Sequence, residues 1–374
     1  MIPRILQDTL QKQVQASKIV VLRGPKKSGK WTLLQPILAQ HEHGVLVYDV
    51  SEKKTRLLME DLAFLSQANF NKRIIVIREA HLLQHIQELI DRCLEWDHVE
   101  NLILLCSSEP ALHEALWEAL RQQGLEIRVS PLMYQECAQH FGLATEDQQL
   151  DQRLIYGNYP EVVAHPEMME SIVYDLVENS IITQLSAHER INKKEKLIHL
   201  LRLLAFHIGE VISFNELGKH CGLDNETVER YIRLFEKADI LFTLPSFYNE
   251  HRYELKKGWV VYFVDNGIRN GLIRAFQPLE FRNDVPALWR NWVLSERRKQ
   301  LLISGKEVTQ FFWFTHTKQA VDYIERAKDQ AMGICLQWDK RFKQKIPQSF
   351  QSLYPEIKVN LVNRSTFWSF IQKK

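Results

Sequence analysis

A chain of 374 residues is too long for one ordinary hydrophobic core, so two or three domains are expected. Hydrophobic content of 45%, charged content of 25% and a formal charge of +2 describe an ordinary globular protein. They exclude a disordered or collagen-like chain, and they neither demand nor exclude a nucleic-acid partner. No apolar run is long enough to cross a bilayer. The opening MIPRILQDTLQKQVQ has helical apolar spacing but no signal-peptide core. Cys93, Cys106, Cys137, Cys221 and Cys335 are scattered and form no C-x-x-C pair. They read as buried thiols of a cytoplasmic protein, with no metal site.

The first 130 or so residues alternate between two periodicities. Short apolar runs stand at KIVVL (18–22), GVLVYDV (44–50), RIIVI (73–77), NLILLC (101–106) and LEIRV (125–129). Helical spacing fills the gaps, as in HLLQHIQELIDRCLEW (81–96). Strands separated by helices predict a parallel sheet covered on both faces, with ligands beyond the carboxyl ends of the strands. After Pro131 the strand rhythm stops, and residues 134–238 read mostly as helix. Residues 212–244 have the shape of a winged helix-turn-helix, with Ser213 and Asn225 as caps and Gly222 at the turn. Strand character returns at WVVYFV (259–264) and TQFFWF (309–314), within a mixed α/β remainder. The expected fold is therefore α/β, in three parts. Residues 1–132 are expected to form the parallel-sheet domain, which the loop read below would make a P-loop nucleotide-binding domain, 133–250 a helical, winged-helix domain, and 251–374 a mixed α/β domain.

GPKKSGKWTLL (24–34) follows the first strand and opens a helix, the context a phosphate-binding loop needs. Gly24 and Gly29 let backbone N–H groups turn inward, Lys27 and Ser28 complete the loop, and Lys30 reaches the terminal phosphates. The pattern then calls for Ser or Thr to hold magnesium, but Trp31 stands there. The hydroxyl of Thr32 is turned about 100° around the helix and points elsewhere. The second metal anchor is normally an acid ending a neighbouring strand. In RIIVIREAH (73–81) that place holds Arg78, with Glu79 following where a water-activating carboxylate stands. An aspartate with its magnesium carries one net positive charge, and so does an arginine alone. Lys30 and Arg78 can thus hold ATP without magnesium, while slow or absent hydrolysis is expected because nothing polarises the γ-phosphate. The plainer reading is a former nucleotide site kept as scaffold. Pro36, inside the following helix, is expected to kink it.

A series of motifs then resembles, nearly end to end, a bacterial family of AAA-type ATPases. They are the phosphate loop, IVIREAH, LIYGNYPEVV (154–163), FVDNGIRNGLI (263–273), PLEFRNDVPALWRNWVLSERRK (278–299) and FFWFTHTKQAVDYIE (311–325). The resemblance implies a P-loop (AAA/RecA-like) domain, a winged-helix region and a C-terminal domain similar to restriction endonucleases. The departures fall on polar site positions. Trp31 replaces a Thr and Arg78 an Asp. Leu105 stands near the place of a polar sensor, with Ser107 and Ser108 following, and Leu125 follows Gly124 where an arginine is expected. In the C-terminal domain Asp322 remains, but the Glu-x-Lys slot holds Cys335 and Gln337. Ala320, Phe314 and Arg290 replace a Glu, an Arg and a Glu. Trp313, Trp338 and Asp265 keep the family pattern. Losses at both sites imply a pseudoenzyme, without nuclease activity.

The recognition helix of the helix-turn-helix, NETVERYIRLFEK (225–237), places Val228, Ile232 and Phe235 at core spacing. Its exposed side offers Arg230, Arg233 and Lys237 to a nucleic acid, but Glu226, Glu229 and Glu236 oppose phosphate. ELKKGW (254–259), WDKRFKQK (338–345) and the final QKK add basic clusters of the kind usually found on solvated faces. His81 and His85 are spaced four apart on one expected helix face, without a third ligand. The leading reading is an ATP-binding AAA-type protein with little hydrolysis and a regulatory or scaffolding role. The alternatives are a working ATPase using Glu79 and a DNA-associated adaptor using the winged helix.

Overall fold

The computed structural model describes residues 2–41, 44–61, 73–97, 99–107, 117–118, 120–121, 125–186, 194–248, 258–328, 330–338 and 346–372. Ser108, Gly124, residues 254–257 and 339–345 and the last two lysines lie outside these. The chain divides into two compact units, Met1–Leu132 and Met133–Lys374.

In the first unit all five apolar runs are strands: β1 (Ile19–Arg23), β2 (Val45–Asp49), β3 (Arg73–Arg78), β4 (Val99–Cys106) and β5 (Glu126–Arg128). They pair in parallel in the order β2-β3-β4-β1-β5. The central strands are buried along nearly their whole length, whereas edge strand β2 is half-buried. Helices α1 (Gln7–Ala16), α2 (Lys30–Leu38), α3 (Lys53–Glu60) and α4 (Ile86–Glu95) complete the described part of this unit. Helix α2 runs through Pro36, and Leu33, Leu34 and Ile37 are its buried apolar residues. His81 belongs to a separate 3-10 turn, Ala80–Leu82, and His85 precedes α4. The extended backbone of Leu83 separates them, so the expected shared helix face does not exist.

The second unit is helical as far as α5 (Leu150–Tyr156) and beyond, to Ser186. It continues through α6 (Lys194–Phe206), β6 (Val211–Ile212), α7 (Phe214–Cys221), α8 (Asn225–Lys237), β7 (Leu241–Pro245) and β8 (Trp259–Phe263). The three short strands form an antiparallel sheet ordered β6-β8-β7. Ser213 caps α7 by accepting from Glu216 N, and Gly222 ends it in a left-handed turn at φ +62°. The cap of α8 is Asp224 rather than Asn225: its carboxylate accepts from Thr227 N at 2.7 Å. Asn225 is already the first helical residue, and an ionised acceptor there also meets the positive end of the helix.

Helices α9 (Asn266–Ile273) and α10 (Val285–Ser304) follow, then β9 (Thr309–Phe314), β10 (Ala320–Ala327), β11 (Gln330–Leu336) and β12 (Lys358–Val362). These four strands form a mixed sheet in the order β12-β11-β10-β9, with only β11 and β12 parallel. Residue 250, the expected boundary, lies between strands that pair with each other. Beyond β7, Phe247 N donates to Phe312 O at 2.7 Å. One hydrophobic core extends from Tyr134 to Ile371, so residues on both sides of that point share it.

Amide and carboxylate side chains knit this core. Asn291 holds both backbone groups of Phe263, at 2.6 and 3.0 Å, and donates to Asn266 Oδ1 at 2.7 Å. Asn266 donates to the carbonyls of Leu154 and Leu288, and Asn270 to those of Leu154 and Ile155. Asp265 accepts from Asn158 N and Gly267 N. Gly157 adopts φ +77°, and a Cβ on it would come within 1.8 Å of Asp265 Oδ1. The motifs LIYGNYPEVV, FVDNGIRNGLI and the α10 segment thus meet as internal joinery.

Candidate nucleotide site

The loop from Gly24 to Gly29 leaves the carboxyl end of β1 and enters α2 at Lys30. Gly24 N donates to Cys106 O at 3.1 Å, drawing the loop against β4. A Cβ on Gly24 would stand 2.0 Å from Val129 O, so only glycine allows this approach. Gly29 takes φ +93° and Lys27 φ +62°, left-handed positions that turn the loop back on itself. Ser28 Oγ is fully buried and has no hydrogen-bond partner among the described residues.

Lys30 is buried under this loop. Its ammonium donates to Gly24 O at 2.7 Å, Pro25 O at 2.9 Å and Ser107 Oγ at 3.3 Å. Ser107, just beyond β4, donates in turn to Glu79 Oε1 at 2.9 Å. Glu79 follows β3 in a left-handed conformation, φ +55°, unusual for a residue with a side chain. His81 Nδ1 lies 3.4 Å from Ser107 N and 3.8 Å from Glu79 Oε2, closing a polar cluster. The polar group at the end of the fourth strand is therefore Ser107. Leu105 lies inside β4, in register with Leu22 and Arg78. Burial pushes the thiol of Cys106 beside it up to about 12 even with Lys30 nearby.

Trp31 and Arg78 come together. The Arg78 guanidinium lies over the Trp31 ring, 5.3 Å from its centroid. It is also paired with Asp49 Oδ2 at 3.1 Å. Asp49 and Arg78 are register partners at the ends of β2 and β3. Asp49 Oδ1 accepts from Ser51 N at 3.0 Å and Ser51 Oγ at 2.6 Å. Thr32 is exposed on α2, one position around the helix from Trp31. Magnesium is the metal that a domain of this kind implies, and the donors here do not fit it. An indole and a guanidinium stand at its two expected anchors, and Asp49 is neutralised by Arg78. Among the described residues no three His, Cys, Asp or Glu side chains gather as a metal site. Asp49 and His81 had no assigned place in this site from the sequence, and Ser107 was named only as following the sensor position. An acid ending an apolar run, as in VLVYD, was the available signal for the first.

The nucleic-acid candidates on α8 are exposed but engaged. Arg233 Nη2 pairs with Glu229 Oε1 at 2.6 Å, and Arg230 lies over the ring of its neighbour Tyr231. Lys237 is exposed in the last turn. Glu236 turns to β7 and accepts from Thr243 N and Oγ1. In the mixed sheet, Asp322 Oδ2 accepts from Leu336 N at 2.7 Å, and Arg290 Nε approaches Oδ1 at 4.0 Å. Cys335 is buried, and that burial, with Asp322 beside it, pushes its thiol up to about 12.

Residues 16–138 match the family model of the AAA domain, and residues 147–279 match a domain of unknown function (DUF8612). An uncharacterized protein of Haemophilus influenzae is 21% identical over 277 residues, covering 68% of this chain and 69% of that one. Among solved structures, a Walker-type ATPase of Pyrococcus abyssi is similar at 12% identity and TM-score 0.47. It covers 73% of this chain and 96% of its own. A RuvB Holliday junction branch migration motor of Thermotoga maritima is similar at 16% identity and TM-score 0.34, covering 64% and 89%. The family match and the sheet around Lys30 make the first unit an AAA-type P-loop ATPase domain. No helix among the described residues is long and apolar enough to cross a membrane.

Proposed function

We propose that this protein binds ATP without magnesium, hydrolyses it little or not at all, and acts as a regulatory or scaffolding protein. The observation that carries this reading is Arg78 stacked on Trp31 and paired with Asp49. It supports a site in which a guanidinium takes the metal's part, beside the two positions where its protein anchors would stand. Lys30, Gly24, Lys27, Ser28 and Gly29 supply the phosphate cradle, and the buried Ser28 hydroxyl has a bond still to make. Lys30 would exchange loop carbonyls for phosphate oxygens, a charge-assisted contact. Without a divalent ion the γ-phosphate lacks its main source of polarisation, so turnover should be very slow.

Isothermal calorimetry with ATP tests this. Binding should persist in EDTA, with affinity changing less than about tenfold when magnesium is added, and should be lost in Lys30→Ala. Binding that requires magnesium, or none at all, would defeat the reading.

A working ATPase is the second reading, favoured by the intact Glu79–Ser107–Lys30 chain. Magnesium-dependent turnover abolished by Glu79→Gln would establish it. The order β6-α7-α8-β7, with β8 pairing beside β7, supports reading residues 212–244 as a winged helix-turn-helix. A DNA role for it has less support, because Arg233 is neutralised by Glu229. We read β9 to β12 as an endonuclease-like sheet without a nuclease site, since Asp322 faces Arg290 and neither Cys335 nor Gln337 can serve as its partner carboxylate.

A further inference from the structure

The Arg78–Asp49 pair joins the ends of two neighbouring strands, directly beside the helix that carries Lys30 and Trp31. The Arg78 side chain is 44% exposed and that of Asp49 27%, so solvent screens the pair and little holds it closed. A phosphate chain offers a guanidinium more charge and a bidentate fit. Trp31 gives that guanidinium a flat surface to slide on without losing its stacking. Asp49, in contrast, is fixed by the two bonds from Ser51 at the entrance to α3.

We propose that Arg78 is a latch for the nucleotide: arrival of the terminal phosphate draws it from Asp49 while Trp31 guides it. Asp49 is then a rival that weakens nucleotide binding, and phosphate occupancy is reported as loss of the β2–β3 end contact. This rests on the nucleotide reading given above.

A double-mutant cycle on the full chain in EDTA tests it, with ATP affinity read by calorimetry. Asp49→Asn should tighten binding roughly two- to fivefold, the range an exposed ion pair commands. The same change in an Arg78→Ala background should have no effect, because no latch remains to release. Equal tightening in both backgrounds would mean that only a nearby negative charge had been removed, and would overturn the latch. So would an unchanged affinity for Asp49→Asn. As a second readout, ATP should change tryptophan emission in the wild type and not in Trp31→Phe; an identical response in both opposes the mechanism. ATP binding that depends on Lys30 but ignores Asp49 sinks the latch alone. No binding to the wild type, or equal binding to Lys30→Ala, removes the nucleotide reading and the latch with it.

Discussion

The phosphate loop of the first unit and the amide network of the second are the two most recognisable stretches of this chain, and they use polar residues in opposite ways. In the network, Asn266, Asn270 and Asn291 spend their amides on backbone groups of neighbouring elements. At the loop, Ser28 Oγ lacks a partner among the described residues, and Lys27 and Glu79 sit at positive φ. Satisfied polar groups in a core stabilise one arrangement. Strained and unpaired groups beside a loop are held for something else. The contrast is one of degree, since Asn158 Nδ2 and Tyr159 Oη in the second unit also lack partners among the described residues; a distinctive motif is therefore not by itself a site.

The largest expected effect lies in the network. Asn291→Ala strands the N–H and C=O of Phe263 and one acceptor of Asn266, all buried. At roughly 1–3 kcal/mol for each group left unpaired, the second unit should lose about 3 kcal/mol or more. Urea unfolding followed by circular dichroism measures this, and a loss well below that size would mean the network is dispensable. The contrasting change is Glu79→Gly. It should remove the left-handed strain and stabilise the first unit by up to about 1 kcal/mol, while deleting the carboxylate. Destabilisation there would show that Glu79 is a structural residue, and would erase the contrast between the regions.

Much of this contrast lay hidden in the sequence for physical reasons. Buried strands announce themselves by continuous apolar runs, so all five strands of the first sheet were legible from the run positions. Helix caps were legible to within a residue, with Asp224 winning over Asn225 because charge favours it. The glycine loop and Lys30 were legible because a phosphate cradle tolerates few residue types. The Arg78–Asp49 pair was not, because it depends on register between β2 and β3, which run composition does not encode. The sensor place was legible only to within two residues, Leu105 with Ser107 and Ser108 following, because a strand's last residue cannot be counted from apolar character alone; β4 runs to Cys106. The core roles of Asn158, Asn266 and Asn291 depend on contacts over more than 100 or some 25 residues of chain, out of reach of any local pattern.

The last effect concerns acid. Within the second unit, burial raises the pKa of Asp265 and of Glu296, only partly offset by Lys299. Asp284 moves the other way: burial would raise it, but hydrogen bonds and charge from Arg282 and Arg269 hold it below the usual 3.8. A carboxylate with a lowered folded pKa contributes stability that is present above its unfolded value and lost as pH falls through the folded one. A raised pKa contributes in the opposite sense, with stability lost as pH rises through the folded value. Asp284→Asn should therefore cost some stability at neutral pH and flatten the loss seen on acidification below 3.8. The Asp284 side chain is 25% exposed, but those of its partners Arg269 and Arg282 are only 3% and 4%, so the cost at neutral pH is set by two buried guanidiniums losing their shared counter-charge. Unfolding midpoints at neutral pH and at about pH 3 measure it, and an acid profile unchanged by the substitution would place the titrating carboxylates elsewhere in the unit.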